Sequence, residues 1–133
     1  MNLFSVGVST RARTSVSVAA VLAASGLAAS ILRAQPASWD QPVTGFWNTA
    51  GNWNPAVVPN GASFDVTISA IGGLYDVNLD INPTIGSLTV DSPDATLQLL
   101  GNSINIVGAF DLNNGLIRGN GATGGLTVGG LAR

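Results

Sequence analysis

From residue 60 onward, polar and apolar side chains alternate with a period of two. The segments FDVTI, YDVNLD, IGSLTV, ATLQLL, SINIV, FDLNN and GLTVGG each hold the alternation briefly, with Gly, Asn, Pro or Asp between them. Alternation sends successive side chains to opposite faces of an extended chain, so each segment predicts a short strand with one buried face. No stretch after residue 35 carries apolar residues at i, i+3, i+4 and i+7 over a helix length. This part of the chain is therefore expected to be all-β.

The apolar pairs Val77/Leu79, Leu88/Val90, Leu97/Leu99, Ile104/Ile106, Phe110/Leu112 and Leu126/Val128 follow one another closely. Many connectors are too brief for the crossovers of a sandwich. A right-handed parallel β-helix (β-solenoid) fits better, each coil of about twenty residues adding short strands whose Val, Leu and Ile stack in interior ladders. Gly then serves the tight corners and Asn bonds to neighbouring backbone. The alternative is an antiparallel β-sandwich or jelly roll. The chain reaches LTVGGLAR within what reads as another repeat. Either the array continues beyond residue 133, or the last coil is left open or meets a partner.

Ahead of the repeats stands FWNTAGNWNP, with Trp47 and Trp53 six residues apart and Trp39 upstream. Two roles suit these rings. They close the apolar end of the first coil as an N-terminal aromatic cap, or Trp47 and Trp53 form a stacking platform for a glycan. The expected organisation is a secretory signal peptide over 1–34, a linker and Trp-rich cap over 35–60, and solenoid repeats over 61–133.

The leader assignment rests on Arg11 and Arg13 followed by SVSVAAVLAASGLAASIL, a small-residue-rich apolar run that leads to candidate cleavage after Ala34 or Ser30. A membrane anchor is the competing reading, because the run approaches the roughly 20 residues that span a bilayer. Signal removal would leave no transmembrane segment. No Cys is present to carry a lipid anchor or a disulfide.

Composition narrows the chemistry. The 133 residues contain seven Asp and five Arg, and lack Lys, Glu, His and Cys. Imidazole bases, thiol nucleophiles, Schiff-base amines and the usual zinc ligands are excluded. Residues 35–133 hold Arg118 and Arg133 against all seven Asp, so no basic patch exists to meet phosphates and nucleic acid is not an expected partner. No cofactor is called for.

Two further sets invite chemistry. Asp76, Asn78, Asp80 and Asn82 alternate like a calcium loop, but Ile81 and Ser87 occupy the positions where an EF-hand needs Gly and Glu. On a strand the same spacing places polar groups toward solvent, leaving Asp76 and Asp80 as a weak calcium candidate. A glycosidase would need two carboxyls about 5 to 10 Å apart, to be drawn from Asp65, Asp91, Asp94 and Asp111. Arg118 is the one basic residue within the coils. Catalysis is not the expectation.

Trp47, the Gly51-Asn52-Trp53 segment, Pro55 and Val58-Pro59, then ASFDVTI, YDVNLD, TIGSLTV and NGLIRGNG…GLTV, carry a resemblance over roughly residues 39–133. In these features the chain resembles secreted bacterial proteins with autotransporter-associated β-strand repeats, passenger-like surface proteins of Gram-negative and planctomycete type. That resemblance implies an exported β-helix, displayed at the cell surface or outer membrane or released, adhesin-like and without enzymatic activity. Its partners would be surface glycans or other copies of itself. The sequence shows no translocator barrel, sorting tail or dockerin-like repeat to complete the family pattern.

Overall fold

A computed structural model describes residues 33–121 and 123–133, which form one compact unit. The segment expected to be the signal peptide lies, apart from Arg33 and Ala34, outside the described residues. Nine strands follow in order: β1 (Gln35–Trp39), β2 (Gly45–Phe46), β3 (Trp53–Asn54), β4 (Gly61–Ile68), β5 (Tyr75–Asn78), β6 (Thr84–Gln98), β7 (Ser103–Ile106), β8 (Phe110–Arg118) and β9 (Gly125–Val128). Ala50–Asn52 makes a single 3-10 turn. None of the described helices is long and apolar enough to cross a membrane.

The strands stack as a β-solenoid of about three turns. Almost every pairing is parallel, joining one coil to the next, which separates the fold from the antiparallel sandwich. Three faces result. On the first, β1, the second half of β4, the middle of β6 and the start of β8 lie side by side, with Trp39, Ile68, Val90 and Leu112 in one row. On the second, β2, β5, the end of β6 and the end of β8 align Gly45, Val77, Leu97 and Ile117. The third carries the start of β6, then β7 and β9, aligning Ile85, Ile106 and Val128. The long strands β6 and β8 bend around corners and so belong to more than one face.

The period-two pattern explains which side chains fill the interior. Val77, Leu79, Leu88, Val90, Leu97, Leu99, Ile104, Ile106 and Phe110 are buried, while Leu126 and Val128 pack partly against them. Leu112 faces inward in the same register as Val90 but remains 39% exposed. Between these rows the corners are tight. Gly86, Gly108 and Gly130 form a column in which Gly108 N–H donates to the Gly86 carbonyl at 2.7 Å and Gly130 N–H to the Gly108 carbonyl at 3.0 Å. A Cβ on Gly108 would come within 2.6 Å of the Gly86 carbonyl oxygen. Only glycine fits a backbone approach this close.

Side chains reinforce the stack along its axis. Ser87 Oγ donates to Asp65 Oδ1 at 2.8 Å, Gln98 Nε2 to Asp76 Oδ1 at 3.3 Å and Asn114 Nδ2 to Asp91 Oδ1 at 2.7 Å. Asn60 and Asn82 accept from the backbone N–H groups of Thr84 and Ser103. Each bond spans about one coil of sequence, so the polar residues between strands tie one coil to its neighbour. No buried side-chain nitrogen or oxygen among the described residues lacks a partner.

The first coil differs from the expected boundaries. Gln35–Trp39, placed by sequence in a linker, is a full rung parallel to β4, and Gly45–Phe46 is a rung parallel to β5. The cap proper begins at Trp47. From there the chain turns back, and β3 pairs antiparallel with the free edge of β1, Trp53 opposite Trp39.

Candidate functional site

The three indoles form one cluster where the cap meets the first rung. Trp47 meets Trp53 edge-on with ring centroids 4.7 Å apart, and Trp53 meets Trp39 at 5.1 Å. Trp47 is 0% and Trp53 3% exposed. Each ring N–H is used internally: Trp47 Nε1 donates to the Pro59 carbonyl at 3.0 Å, Trp53 Nε1 to the Trp47 carbonyl at 2.8 Å and Trp39 Nε1 to the Val43 carbonyl at 3.2 Å. Stacking on a sugar needs an open ring face, and neither Trp47 nor Trp53 offers one. The aromatic cap explains both residues. Aromatics dominate such ends because one ring covers a large apolar area and its N–H still finds an acceptor.

Asp76 and Asp80 are not brought together. Leu79 N–H still donates to the Gln98 carbonyl, so the backbone is extended between them, and four extended residues separate the two Cα atoms by about 13 Å. Their carboxylates point to separate partners: Asp76 accepts from Gln98, while Asp80 Oδ1 accepts from the Asn48 backbone N–H at 2.9 Å and so holds the start of the cap. No cluster of three metal-ligating side chains occurs among the described residues. Three of the other candidate carboxylates are similarly engaged. Asp65 and Asp91 join neighbouring coils, and Asp94 Oδ2 accepts from the N–H groups of Gly72 and Gly73 at 3.0 and 3.3 Å.

An extended concavity lies elsewhere, on the outer side of the second face. Its volume is about 620 Å³, within the range of ligand clefts. It crosses four successive rungs. Thr44 comes from the first, Asp76 from the second, Thr96 and Gln98 from the third, and Arg118 from the fourth, with Leu74, Pro93 and Leu116 beside them. Strand register produces the arrangement: Asp76 aligns with Thr96 and Leu116, and Asn78 with Gln98 and Arg118. Thr44 Oγ1 accepts the Asp76 backbone N–H at 2.9 Å and completes the first column. Exposed Phe46 stands at the head of the second, opposite Asn78.

Behind this floor sits Tyr75. Its ring is buried, its hydroxyl donates to the Ala70 carbonyl at 3.0 Å, and burial raises its pKa above the ordinary tyrosine value. Ser92, fully buried, donates to the same carbonyl at 2.6 Å and accepts from the Asp94 N–H at 3.2 Å. These bonds, with those from Asp94 to the Gly72-Gly73 turn, fix the corner that carries Leu74.

Sequence reasoning treated Arg118 and Asp76 separately and missed the groove. A signal was present: YDVN, ATLQ and GLIR begin at residues 75, 95 and 115, a spacing that matches the second-face register. Aligning the polar positions of those segments would have placed Asp76 over Thr96 and Gln98 over Arg118. Comparison with family models, curated proteins and solved structures finds no match for this chain.

Proposed function

We propose that this protein is a secreted or cell-surface structural and adhesive β-solenoid that works by contact and carries no catalytic activity of its own. The observation that supports this reading most directly is the outer side of the second face. There a parallel ladder brings hydroxyl, amide, carboxylate and guanidinium groups from successive coils side by side. Of the carboxylates available to a hydrolase, Asp65, Asp80, Asp91 and Asp94 accept from hydroxyl, backbone or amide donors.

Many shallow contacts along repeated rungs, multiplied over several molecules on one surface, give strong attachment from individually weak interactions. The leader-like pattern of the first residues and the resemblance to autotransporter-associated repeats supply the extracellular part of the proposal.

The test is expression of the full chain in a Gram-negative host, followed by fractionation and a cell-adhesion assay. The expected result is recovery outside the cytoplasm and retention on cell or matrix surfaces. Cytoplasmic retention without surface binding would overturn the proposal. So would release of reducing sugar from a polysaccharide, abolished by substituting an Asp.

A further inference from the structure

The second-face groove has a more specific character than a generally polar surface. From the geometry we infer that it binds an extended neutral glycan lying along the solenoid axis, with Thr44, Asp76, Gln98 and Arg118 bonding its hydroxyls and Leu74 and Leu116 meeting its apolar C–H faces. This inference rests on the adhesive reading above and names the ligand class.

Shape comes first. Rungs of a parallel ladder are about 4.8 Å apart, so four of them give a floor about 14 Å long. Such a floor accepts a short run of sugar units, each crossing roughly one rung. The backbone that carries the recognition elements is also fixed in advance. Asp76, Gln98 and Arg118 project from hydrogen-bonded strands, and Asp94 holds the turn displaying Leu74 through two backbone bonds. Little backbone ordering is then required on binding.

Functional groups distinguish a glycan from other occupants. The side chains of Asp76, Gln98 and Arg118 are planar forks, each able to bond two neighbouring hydroxyls at once. The Gln98–Asp76 bond at 3.3 Å occupies one donor of the amide and leaves its second N–H and its oxygen available. Leu74 is 87% and Leu116 42% exposed, which sets apolar surface beside the forks. Sugars carry this same combination of hydroxyl edge and C–H face.

A peptide strand would instead seek unpaired backbone at a sheet edge. The two middle rungs of the groove, β5 and the end of β6, are paired on both sides, so their backbone groups are committed to the ladder. Charge selects among glycans. Residues 35–133 place two Arg against seven Asp, a net −5 that repels a polyuronate over a Debye length of about 8 Å at physiological salt. An uncharged chain meets no such barrier.

The experiment uses the full chain, its Arg118→Ala and Leu74→Ser variants, and a panel of neutral oligosaccharides and polysaccharides with polygalacturonate as the acidic arm. Both variants alter exposed side chains, and unchanged circular dichroism and melting temperature verify their folds. The expected result is binding to at least one neutral glycan, weakened about tenfold or more by Arg118→Ala, as the loss of one to two hydrogen bonds implies, and weakened also by Leu74→Ser. Preference for polygalacturonate, failure of every neutral glycan, or equal binding by folded variants would overturn the inference. A parallel cell-adhesion measurement separates the two proposals. Wild-type and variant proteins that adhere equally leave the adhesive function standing and remove the groove. Neutral-glycan binding that depends on Arg118, without any adhesion, keeps the groove and removes the adhesive function.

Discussion

Replacing Trp47 by Ala tests the cap at its centre. The indole is 0% exposed, packs edge-on against Trp53, and donates to the Pro59 carbonyl at 3.0 Å. Truncation of a buried Trp to Ala costs about 3–5 kcal/mol in lost transfer energy and cavity. Stranding the Pro59 carbonyl, whose residue is itself buried, adds about 1–3 kcal/mol where water cannot replace the donor. The bond from Trp53 survives, because it ends on the Trp47 backbone carbonyl.

A loss of about 4–8 kcal/mol compares with a total stability of about 5–15 kcal/mol for a domain of this size. With a urea m-value near 2 kcal/mol/M, the unfolding midpoint should fall by about 2–4 M. Equilibrium urea unfolding, followed by the emission of the remaining two indoles, measures it. Trp47→Phe keeps a ring but removes the N–H, and should fall between wild type and Ala. A midpoint shift worth less than about 1 kcal/mol, together with wild-type emission as accessible to acrylamide as free tryptophan, would refute the buried cap and restore the open-platform role.

Two further predictions follow from local geometry. Gly108→Ala forces a Cβ against the Gly86 carbonyl oxygen and should destabilise the coil by about 1–3 kcal/mol; Gly51→Ala, where nothing lies within 4 Å, should stay within about 0.5 kcal/mol of wild type in the same urea titration. Because the raised pKa of Tyr75 leaves the folded protein holding a proton that the unfolded chain releases near pH 10, stability should be unaffected by this group below that pH and decline above it. Tyr75 is the only tyrosine, so tyrosinate absorbance reports its titration directly, and a folded-state midpoint at or below the free-tyrosine value would contradict the burial.

Much of the interior was legible because the alternation is strict. Val77, Leu79, Leu88 and Val90 were assigned inward from period two, and all are buried. The first coil was obscured by an insertion. Trp39 aligns with Ile68, an offset of 29 residues, whereas Ile68 to Val90 and Val90 to Leu112 are each offset by 22. Residues of the cap lengthen the first turn, so Gln35–Trp39 falls outside any regular spacing and reads as linker.

The groove was hidden for another reason. Its members lie on the polar side of the strands, where alternation marks only exposure. Their proximity depends on inter-coil register, which differs by face: the second-face offset is 20 between Val77 and Leu97, against 22 on the first. A single repeat length applied to the whole chain therefore misaligns the outer columns. Trp47 was legible as a large apolar ring, but whether it faced the core or solvent depended on the return of β3.

That return gives the stack a direction. Because β3 runs antiparallel along the outer edge of β1, it occupies the hydrogen-bonding positions that another parallel coil would use there. Lengthening of the solenoid by duplication is thus confined to coils on the far side of β1 from β3. A duplicated unit of about one coil could enter between existing rungs without disturbing the tryptophan cluster. The binding face would grow with it, each added coil extending the groove by one rung. Reach becomes a quantity that inheritance can adjust in fixed steps, measured from a closed end.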